Sequence, residues 1–145
     1  MDPITIRMAV AEDFQTVYRF INLLEDDTFN ETTQHLLFAE NLANPNVVYL
    51  IAFADEKPVG LLSCHIQNLL HHAGKVGEIQ EMYVEESARS LGVGKKLIDA
   101  LKAIAQQRNL VQLEVTSSFK RADAHRFYER ENFIFTHKKF TLPLK

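Results

Sequence analysis

The feature that most constrains the fold of this chain is a strand-like segment joined to an amphipathic helix through two closely spaced glycines. Residues 76–84 are predicted to form a strand, and a long helix is predicted from about Gly92 to Arg108. The apolar side chains on one face of this helix are Leu97, Ile98, Leu101, Ile104 and Ala105. A strand followed by a helix with one apolar face is typical of a layered domain in which helices pack on a sheet.

The rest of the chain supplies further strands and helices. Alternating or continuous apolar runs predict strands over residues 4–8, 47–54, 59–67, 111–116 and 133–142. Helical spacing predicts helices over residues 14–24, behind an N-cap at Asp13, over residues 31–43, and around residues 124–128. This order of elements implies a mixed α/β sheet with helices on both faces, in one domain over residues 1–145.

The glycines in Gly92-Val93-Gly94 indicate a site for a phosphate group. Glycine lets the backbone approach a ligand closely, because no Cβ intrudes. Free N–H groups at the start of the helix, together with the positive end of its dipole, favour an anion. Arg89 precedes the loop and Lys95 lies in the first helical turn, so both add positive charge. The alternative is a tight strand-to-helix turn that binds no ligand.

Two better-known glycine signatures are excluded by the residues at their fixed positions. A Walker A loop needs a glycine five residues ahead of its Gly-Lys pair, where this chain has Arg89. A dinucleotide-binding fingerprint needs a third glycine, where this chain has Leu97. The interpretation of the loop therefore depends on motifs elsewhere in the chain.

Two separated motifs resemble the GNAT superfamily of N-acetyltransferases. Arg89-x-x-Gly92-x-Gly94, after Glu-Met-Tyr-Val at residues 81–84, resembles the central motif of that superfamily. Residues 124–133 resemble its last helix and the start of the strand that follows. The resemblance covers nearly the whole chain. It implies a mixed, mostly antiparallel β-sheet of six or seven strands with about four helices on both faces, and acetyl-CoA-dependent N-acetyltransferase activity.

By this resemblance acetyl-CoA is the cosubstrate, and its pyrophosphate lies in the glycine loop. The backbone amides of Met82 and Val84 are expected to hold the acetyl carbonyl and the pantetheine arm. Arg121 stands where many superfamily members have an asparagine that touches the coenzyme. The expected coenzyme-binding residues are Met82, Tyr83, Val84, Arg89, Ser90, Leu91, Gly92, Val93, Gly94, Lys95 and Arg121.

Several segments are also similar to aminoalkylphosphonate N-acetyltransferases. They are Asn41-Leu42-x-x-Pro45-Asn46, His71-His72, Gly77-Glu78-Ile79-Gln80-Glu81 and Lys120-Arg121-x-Asp123-Ala124-His125-Arg126-Phe127-Tyr128. The similarity implies that the acceptor is the primary amine of a small molecule, such as an aminoalkylphosphonate.

One departure from that pattern concerns the charge of the acceptor. The first predicted helix ends in Glu25-Asp26-Asp27, an acidic tip that would favour a cationic acceptor such as a polyamine or an aminoglycoside. A phosphonate would instead need a basic pocket, for which Arg7, Lys75 and Arg126 are candidates.

Acetyl transfer to an amine needs a base, because a typical alkylamine has a pKa of about 10. Glu78 and Glu81 lie on the predicted fourth strand, where strict alternation sends them to opposite faces. A bulge near Met82, which the resemblance implies, would change this parity. By resemblance, Glu78 is the first candidate for the general base and Tyr128 is the general acid. Glu81, on the same predicted strand, is the second candidate, as base or amine anchor. The alternatives are ordinary surface carboxylates and a core aromatic side chain.

The histidines raise a metal site as an alternative. His65, His71, His72 and Glu78 are enough ligands for zinc, but their spacing is not a known ligand pattern. We therefore predict no metal cofactor, and a solvated or substrate-facing loop after residue 70.

Charge and composition argue against several other classes of protein. The net charge of −3 disfavours a nucleic-acid-binding face. Without an apolar run of membrane-helix length, and with Cys64 as the lone cysteine, the chain is expected to be cytoplasmic. We expect a homodimer, because superfamily members often dimerise, and no nucleic-acid or membrane partner. The alternative functions are acetylation of protein N-termini or lysines, and acyl-CoA sensing without turnover.

Overall fold

The computed structural model describes residues 3–117 and 122–145, in which nine main elements follow one another. They are β1 (Ile4–Met8), α1 (Phe14–Glu25), α2 (Glu31–Ala43), β2 (Val47–Ala54), β3 (Lys57–Leu69), β4 (Gly74–Val84), α3 (Val93–Gln107), β5 (Gln112–Val115) and α4 (Ala122–Arg130). The helices predicted over residues 14–24, 31–43 and 92–108 are confirmed to within one residue at each end. Of the helices described, none combines the length and the apolar character needed to span a membrane.

The sheet has the order β1-β2-β3-β4-β5. Neighbouring strands from β1 to β4 are antiparallel, whereas β4 and β5 are parallel. The last pair is parallel because α3 carries the chain back along the sheet before β5 begins. This crossover places the start of α3 at the end of the sheet where β4 finishes.

Both faces of the sheet are covered by helices, as the order of elements predicts. On one face α3 packs Leu97 against sheet residues that include Leu62. On the other face α1 and α2 pack Phe20 and Phe38 against residues that include Leu61. Because neither face meets solvent, β2 and β3 are nearly continuous apolar runs rather than alternating ones.

The count of six or seven strands is wrong for the part of the chain that the structure describes, where the sheet has five. The strand predicted over residues 133–142 is the one that does not form. The backbone turns at Asn132, whose φ of 73° is left-handed, and Phe133 packs against the core that α3 covers. Beyond it, Ile134, Phe135 and Phe140 are at least 80% exposed. An alternating pattern shows that a segment can form a strand, but a strand also needs a neighbour, and β5 is only four residues long.

Candidate functional site

A cleft opens where β4 and β5 stop pairing. Their parallel register ends at Ile79 opposite Val115, whereas β4 continues to Val84. The cleft has a volume of about 280 Å³ and brings together three residues that the sequence predicts for the site, Glu81, Met82 and Tyr128. Its described lining is Leu24, Glu25, Ile79, Gln80, Glu81, Met82, Val115, Thr116, Ser117, Ala124 and Tyr128.

A larger and more open recess of about 650 Å³ follows the outer side of α1, from Gln15 to Thr28. It contains none of the predicted catalytic or coenzyme-binding residues, although Asp26 and Asp27 of the acidic tip line it. The smaller cleft is therefore the candidate site, because two of the three predicted acid–base residues, Glu81 and Tyr128, line it.

A β-bulge lies in the wall of the cleft. Ser63 of β3 pairs with Glu81 of β4, but the next residue, Cys64, pairs with Ile79. Gln80 is therefore an extra residue on β4 with no counterpart on β3. Such a bulge bends the strand and re-aims the side chains on either side of it.

The bulge brings the two candidate bases to the same face of the sheet. Directly paired residues share a face, and the partners of Glu78 and Glu81 are His65 and Ser63, two residues apart on β3. The placement of the two glutamates on opposite faces by strict alternation is therefore wrong. The bulge that the family resemblance implies is present, two residues before Met82.

The cleft passes between the strands and so has walls on both faces of the sheet. Glu81 pairs with Ser63 on the face that α1 covers, where Glu25 also lines the cleft. Met82 pairs with Leu62 on the face that α3 covers, which is also where Tyr128 approaches. The acidic side chains and the phenol thus reach the same opening from opposite faces.

Glu81 is held by a residue that the sequence reasoning missed. The Ser63 hydroxyl donates to Glu81 Oε1, and Ser63 Oγ accepts from the Glu81 backbone N–H at 3.0 Å. Ser63 is completely buried. The available signal was a lone hydroxyl in the apolar run over residues 59–64, because a buried polar group needs a partner.

Glu78 lies next to the cleft but is not part of its lining. Its carboxylate accepts from Thr116 Oγ1 at 3.2 Å and from Gln80 Nε2 at 3.1 Å, and both of those residues line the cleft. Glu78, the first candidate base from the sequence, is therefore adjacent in the chain to the cleft-lining residue Ile79, whereas Glu81, the second candidate, lines the cleft itself.

Tyr128 projects from α4 toward β4. Its hydroxyl lies 3.8 Å from Met82 Sδ, and its ring is 5.7 Å from the Phe133 ring, centroid to centroid. The ring is thus packed while the side chain lines the cleft. This placement suits a phenol that donates a proton from a fixed position.

The glycine loop leads into the first turn of α3. Gly92 has a φ of 72°, in the left-handed region that strains a residue with a Cβ. No side chain caps α3, whose first backbone bond runs from the Lys96 N–H to the Gly92 carbonyl. The N–H groups of residues 93–95 have no partner within the helix, so they are available to an anion.

The two cations predicted at this loop are exposed and partly engaged elsewhere. Arg89 Nε donates to the Val84 carbonyl at 3.1 Å. Lys95 Nζ lies 3.5 Å from Asp99 and 3.7 Å from Glu131. Exposed ion pairs are weak, so the Lys95 side chain can reorient toward a stronger anion, and the hydrogen bond of Arg89 Nε leaves the other guanidinium N–H groups for the same purpose.

Gly94 is required by packing between helices. A Cβ there would lie 3.0 Å from Phe127 Cζ and 3.3 Å from Met82 Cε. The missing side chain leaves room for the Phe127 ring of α4 beside the first turn of α3. Sequence reasoning assigned both glycines to close approach of a ligand; within the protein, Gly92 serves backbone conformation and Gly94 serves packing.

Of the other predicted positions, Tyr83 presents its ring away from the cleft. The Tyr83 ring packs 5.2 Å from the Phe20 ring on the α1 side, and burial, together with Glu85, raises the pKa of the Tyr83 phenol. Contact between Tyr83 and a coenzyme would therefore involve its backbone. Arg121 lies outside the described residues.

Cys64 is unsuited to covalent catalysis. It is completely buried beside the bulge. Burial, and then the nearby Glu78 carboxylate, raises the pKa of the Cys64 thiol to about 12. Because the thiolate is the nucleophile, a thiol with this pKa is almost unreactive at neutral pH.

The basic residues proposed for a phosphonate pocket are not in the described lining of the cleft. Arg7 forms an ion pair with Asp13 at 2.7 Å, and Arg126 forms one with Asp123. Lys75 lies at the start of β4, opposite the end where the cleft opens.

The histidines are dispersed. His65 pairs with Glu78 across β3 and β4, whereas His71 and His72 lie in a 3₁₀ turn and His72 Nε2 is 3.6 Å from Glu114. Within residues 3–117 and 122–145, no three His, Cys, Asp or Glu side chains are grouped so that they could hold a metal ion.

Several known proteins are similar to this chain in sequence or in fold. A sequence profile of the acetyltransferase (GNAT) family matches residues 8–133. Aminoalkylphosphonate N-acetyltransferase of Salmonella typhimurium is 37% identical over 139 residues, which cover 96% of this chain and 90% of that protein. A transcriptional regulator from Bacillus halodurans C-125 superposes with a TM-score of 0.89 at 22% identity, covering 98% of this chain and 100% of that one. An aminoglycoside acetyltransferase from an uncultured soil metagenomic sample, in complex with trehalose, superposes with a TM-score of 0.81 at 20% identity, covering 98% of this chain and 97% of that one.

The left-handed conformation of Gly92 predicts the effect of two substitutions on stability. Nothing lies within 4 Å of a Cβ built at this position, so the cost of Gly92→Ala is conformational rather than steric. We expect Gly92→Ala to lower the free energy of unfolding by about 1 kcal/mol, measured by urea denaturation. Gly92→Asn is the matched control and should cost less, because asparagine tolerates this region. Equal free energies of unfolding for the wild type and Gly92→Ala would contradict the left-handed conformation of Gly92.

Proposed function

The chain belongs to the GNAT family of acetyltransferases, and on that basis we propose that it transfers an acetyl group from acetyl-CoA to the primary amine of an aminoalkylphosphonate. The observation that carries the proposal is the cleft between β4 and β5, where Glu81 and Tyr128 line the walls. The uncapped start of α3 follows β4 after a 3₁₀ helix over Glu86–Leu91. The acceptor class is supported by the relative from Salmonella typhimurium, whose aligned region covers most of both chains.

The residues at the start of α3 suit the coenzyme. A pyrophosphate needs several N–H donors at a backbone that can be approached closely, and the first turn of α3 offers N–H groups without helix partners. Arg89 and Lys95 add positive charge at this turn. Bound there, acetyl-CoA would supply the thioester whose acetyl group is transferred.

Glu81 is the base in this proposal. The acceptor amine is protonated at neutral pH, so its nitrogen needs to lose a proton before it can attack. The position of Glu81 on the cleft wall supports it ahead of Glu78, which the sequence favoured. As the new N–C bond forms and the C–S bond breaks, Tyr128 gives its proton to the departing sulfur, and the second proton that the amine nitrogen loses restores the phenol. In this proposal the Glu81 carboxylate accepts a proton from the amine, and the Tyr128 phenol donates one to the leaving sulfur.

We expect Glu81→Gln to lower kcat by about a hundredfold, because an amide cannot take up the amine proton. Tyr128→Phe should lower kcat by about tenfold or more, because the leaving thiolate is no longer protonated. Release of free thiol, followed with a thiol-reactive chromophore at saturating acetyl-CoA, measures both.

Two further carboxylate-to-amide changes serve as comparisons for Glu81→Gln. Glu114→Gln is the matched control. Glu114 lies on β5 outside the cleft lining, and its carboxylate accepts a hydrogen bond from Gln112 Nε2 at 2.7 Å. This change should leave kcat unchanged. Glu78→Gln should have a smaller effect than Glu81→Gln. A large loss in Glu78→Gln with none in Glu81→Gln would instead assign the base to Glu78.

A cationic acceptor is the second candidate, supported by the charge of the cleft. Glu25 and Glu81 are the charged side chains in its described lining, and both are acidic. Asp26 and Asp27 follow Glu25 at the end of α1. This arrangement favours the ammonium end of any aminoalkyl acceptor, and it favours a second ammonium group over a phosphonate at the far end.

A comparison of three amines of similar length separates the candidates. 2-Aminoethylphosphonate has an anionic far end, a short diamine has a cationic one, and propylamine is the uncharged control. We expect kcat/KM for the aminophosphonate to exceed that for propylamine by at least about tenfold, equivalent to about 1.4 kcal/mol of transition-state binding. A higher kcat/KM for the diamine than for the aminophosphonate would favour the cationic acceptor.

We also propose that the protein is a homodimer in which each copy buries the exposed C-terminal segment of the other. Side chains in this segment are large, apolar and at least 80% exposed: Ile134, Phe135, Phe140, Leu142 and Leu144. Monomeric proteins rarely leave large apolar patches in water, so a second copy is a suitable cover. Sedimentation analysis should give twice the chain mass for the wild type and a monomer for Phe135→Glu/Phe140→Glu. A wild-type monomer would contradict the proposal.

A further inference from the structure

Ser63 is the only buried polar side chain among the described residues. It stands in β3 between Leu62 and Cys64, which are also completely buried. Removing a hydroxyl from water is costly unless hydrogen bonds replace those lost. A serine at this position therefore needs a specific partner to be compatible with a stable core.

Both hydrogen bonds of Ser63 are made to the same residue, Glu81. The Glu81 backbone N–H donates to Ser63 Oγ at 3.0 Å, and the Ser63 hydroxyl donates to Glu81 Oε1. Because one lone pair of Oγ accepts the backbone N–H, the hydroxyl proton is directed toward the carboxylate. The hydroxyl thus links the backbone of Glu81 to its own carboxylate and sets the direction of the side chain.

This link lies where the β3–β4 ladder is interrupted. Ser63 and Cys64 flank the register shift, opposite the extra residue Gln80. A bulge disrupts the regular hydrogen bonds of the ladder and changes the aim of nearby side chains. A side-chain hydroxyl that accepts the Glu81 N–H at this point compensates for the disruption and determines where the carboxylate points.

We propose that Ser63 is a positioning residue that holds the Glu81 carboxylate toward the acceptor amine. The proposal rests on the proposed function, in which Glu81 takes the amine proton. Ser63 does not line the cleft and does not touch the substrate; it acts through Glu81 alone. Loss of its hydroxyl should therefore affect the catalytic step and leave coenzyme binding, which involves other residues, intact.

The test is a kinetic double-mutant cycle. Ser63→Ala should lower kcat by about tenfold, because a loosely held base is seldom correctly placed, with KM for acetyl-CoA within about twofold of wild type. In a Glu81→Gln background, Ser63→Ala should cause no further loss of kcat, because the group that it positions has been removed. A residue that merely supported the sheet would cause the same loss in both backgrounds.

Cys64→Ala is the matched control. It truncates a neighbouring, equally buried side chain on the opposite face of β3 and leaves the Ser63–Glu81 bonds in place, so kcat should stay near wild type. If Ser63→Ala does not fold, Ser63→Cys replaces it in the cycle, since a thiol fills the space but is a weak donor. Full activity of Ser63→Cys would overturn the proposal.

The outcomes separate this proposal from the proposed function. A loss of kcat in Glu81→Gln with none in Ser63→Ala would overturn the role of Ser63 and leave Glu81 as the base. Equal losses from Ser63→Ala in both backgrounds would also overturn it. If Glu81→Gln retains full kcat, Glu81 is not the base, and the positioning role fails with it. Failure of the wild type to acetylate any of the amines would contradict the proposed function itself.

Discussion

The interruption of the β3–β4 ladder at Gln80 is the constraint on which the candidate site depends. One extra residue in β4 reverses the alternation beyond it, so Glu81 shares a face with Glu78 and pairs with the buried Ser63. At the same level, β4 loses its other neighbour, because the β4–β5 register ends at Ile79. With the regular ladders perturbed on both sides, β4 has unpaired backbone and re-aimed side chains at one point, and the cleft opens there.

The cleft therefore connects two layers of the protein with different chemical character. On the α1 side it is lined by the carboxylates of Glu25 and Glu81, which suit an ammonium group. On the α3 side, the Phe127 ring of α4 lies against Gly94 in the first turn of α3, so that Tyr128 and the uncapped helix end lie on neighbouring elements. In the proposed reaction, the amine and the acyl thioester approach from opposite faces and meet in the plane of the sheet, between Glu81 as proton acceptor and Tyr128 as proton donor.

Several features could be predicted from the sequence because they depend on neighbouring residues along the chain. The apolar faces of α1 and α3 and the bounds of α2 are local features, and these helices begin and end within one residue of the predicted positions. The site was predicted less completely. Family resemblance pointed to Tyr128 and to Glu78, with Glu81 as the second candidate, whereas the cleft is lined by Glu81 and Tyr128. Ser63 was missed, because a single serine in an apolar run has no periodicity or motif spacing that would identify it. The prediction of a strand over residues 133–142 was wrong. Its alternating pattern suits a strand, but no neighbouring strand pairs with this segment.

The sequence by itself determined the helices, the first five strands, the glycine loop and the residue types available for acid–base chemistry, because local sterics and hydrophobic periodicity specify these without reference to distant residues. Only the tertiary structure decided which glutamate lines the cleft. That choice depends on the register between β3 and β4, where one unpaired residue moves every later side chain to the other face. Register is a property of two strands together, so it cannot be read from the alternation within one of them.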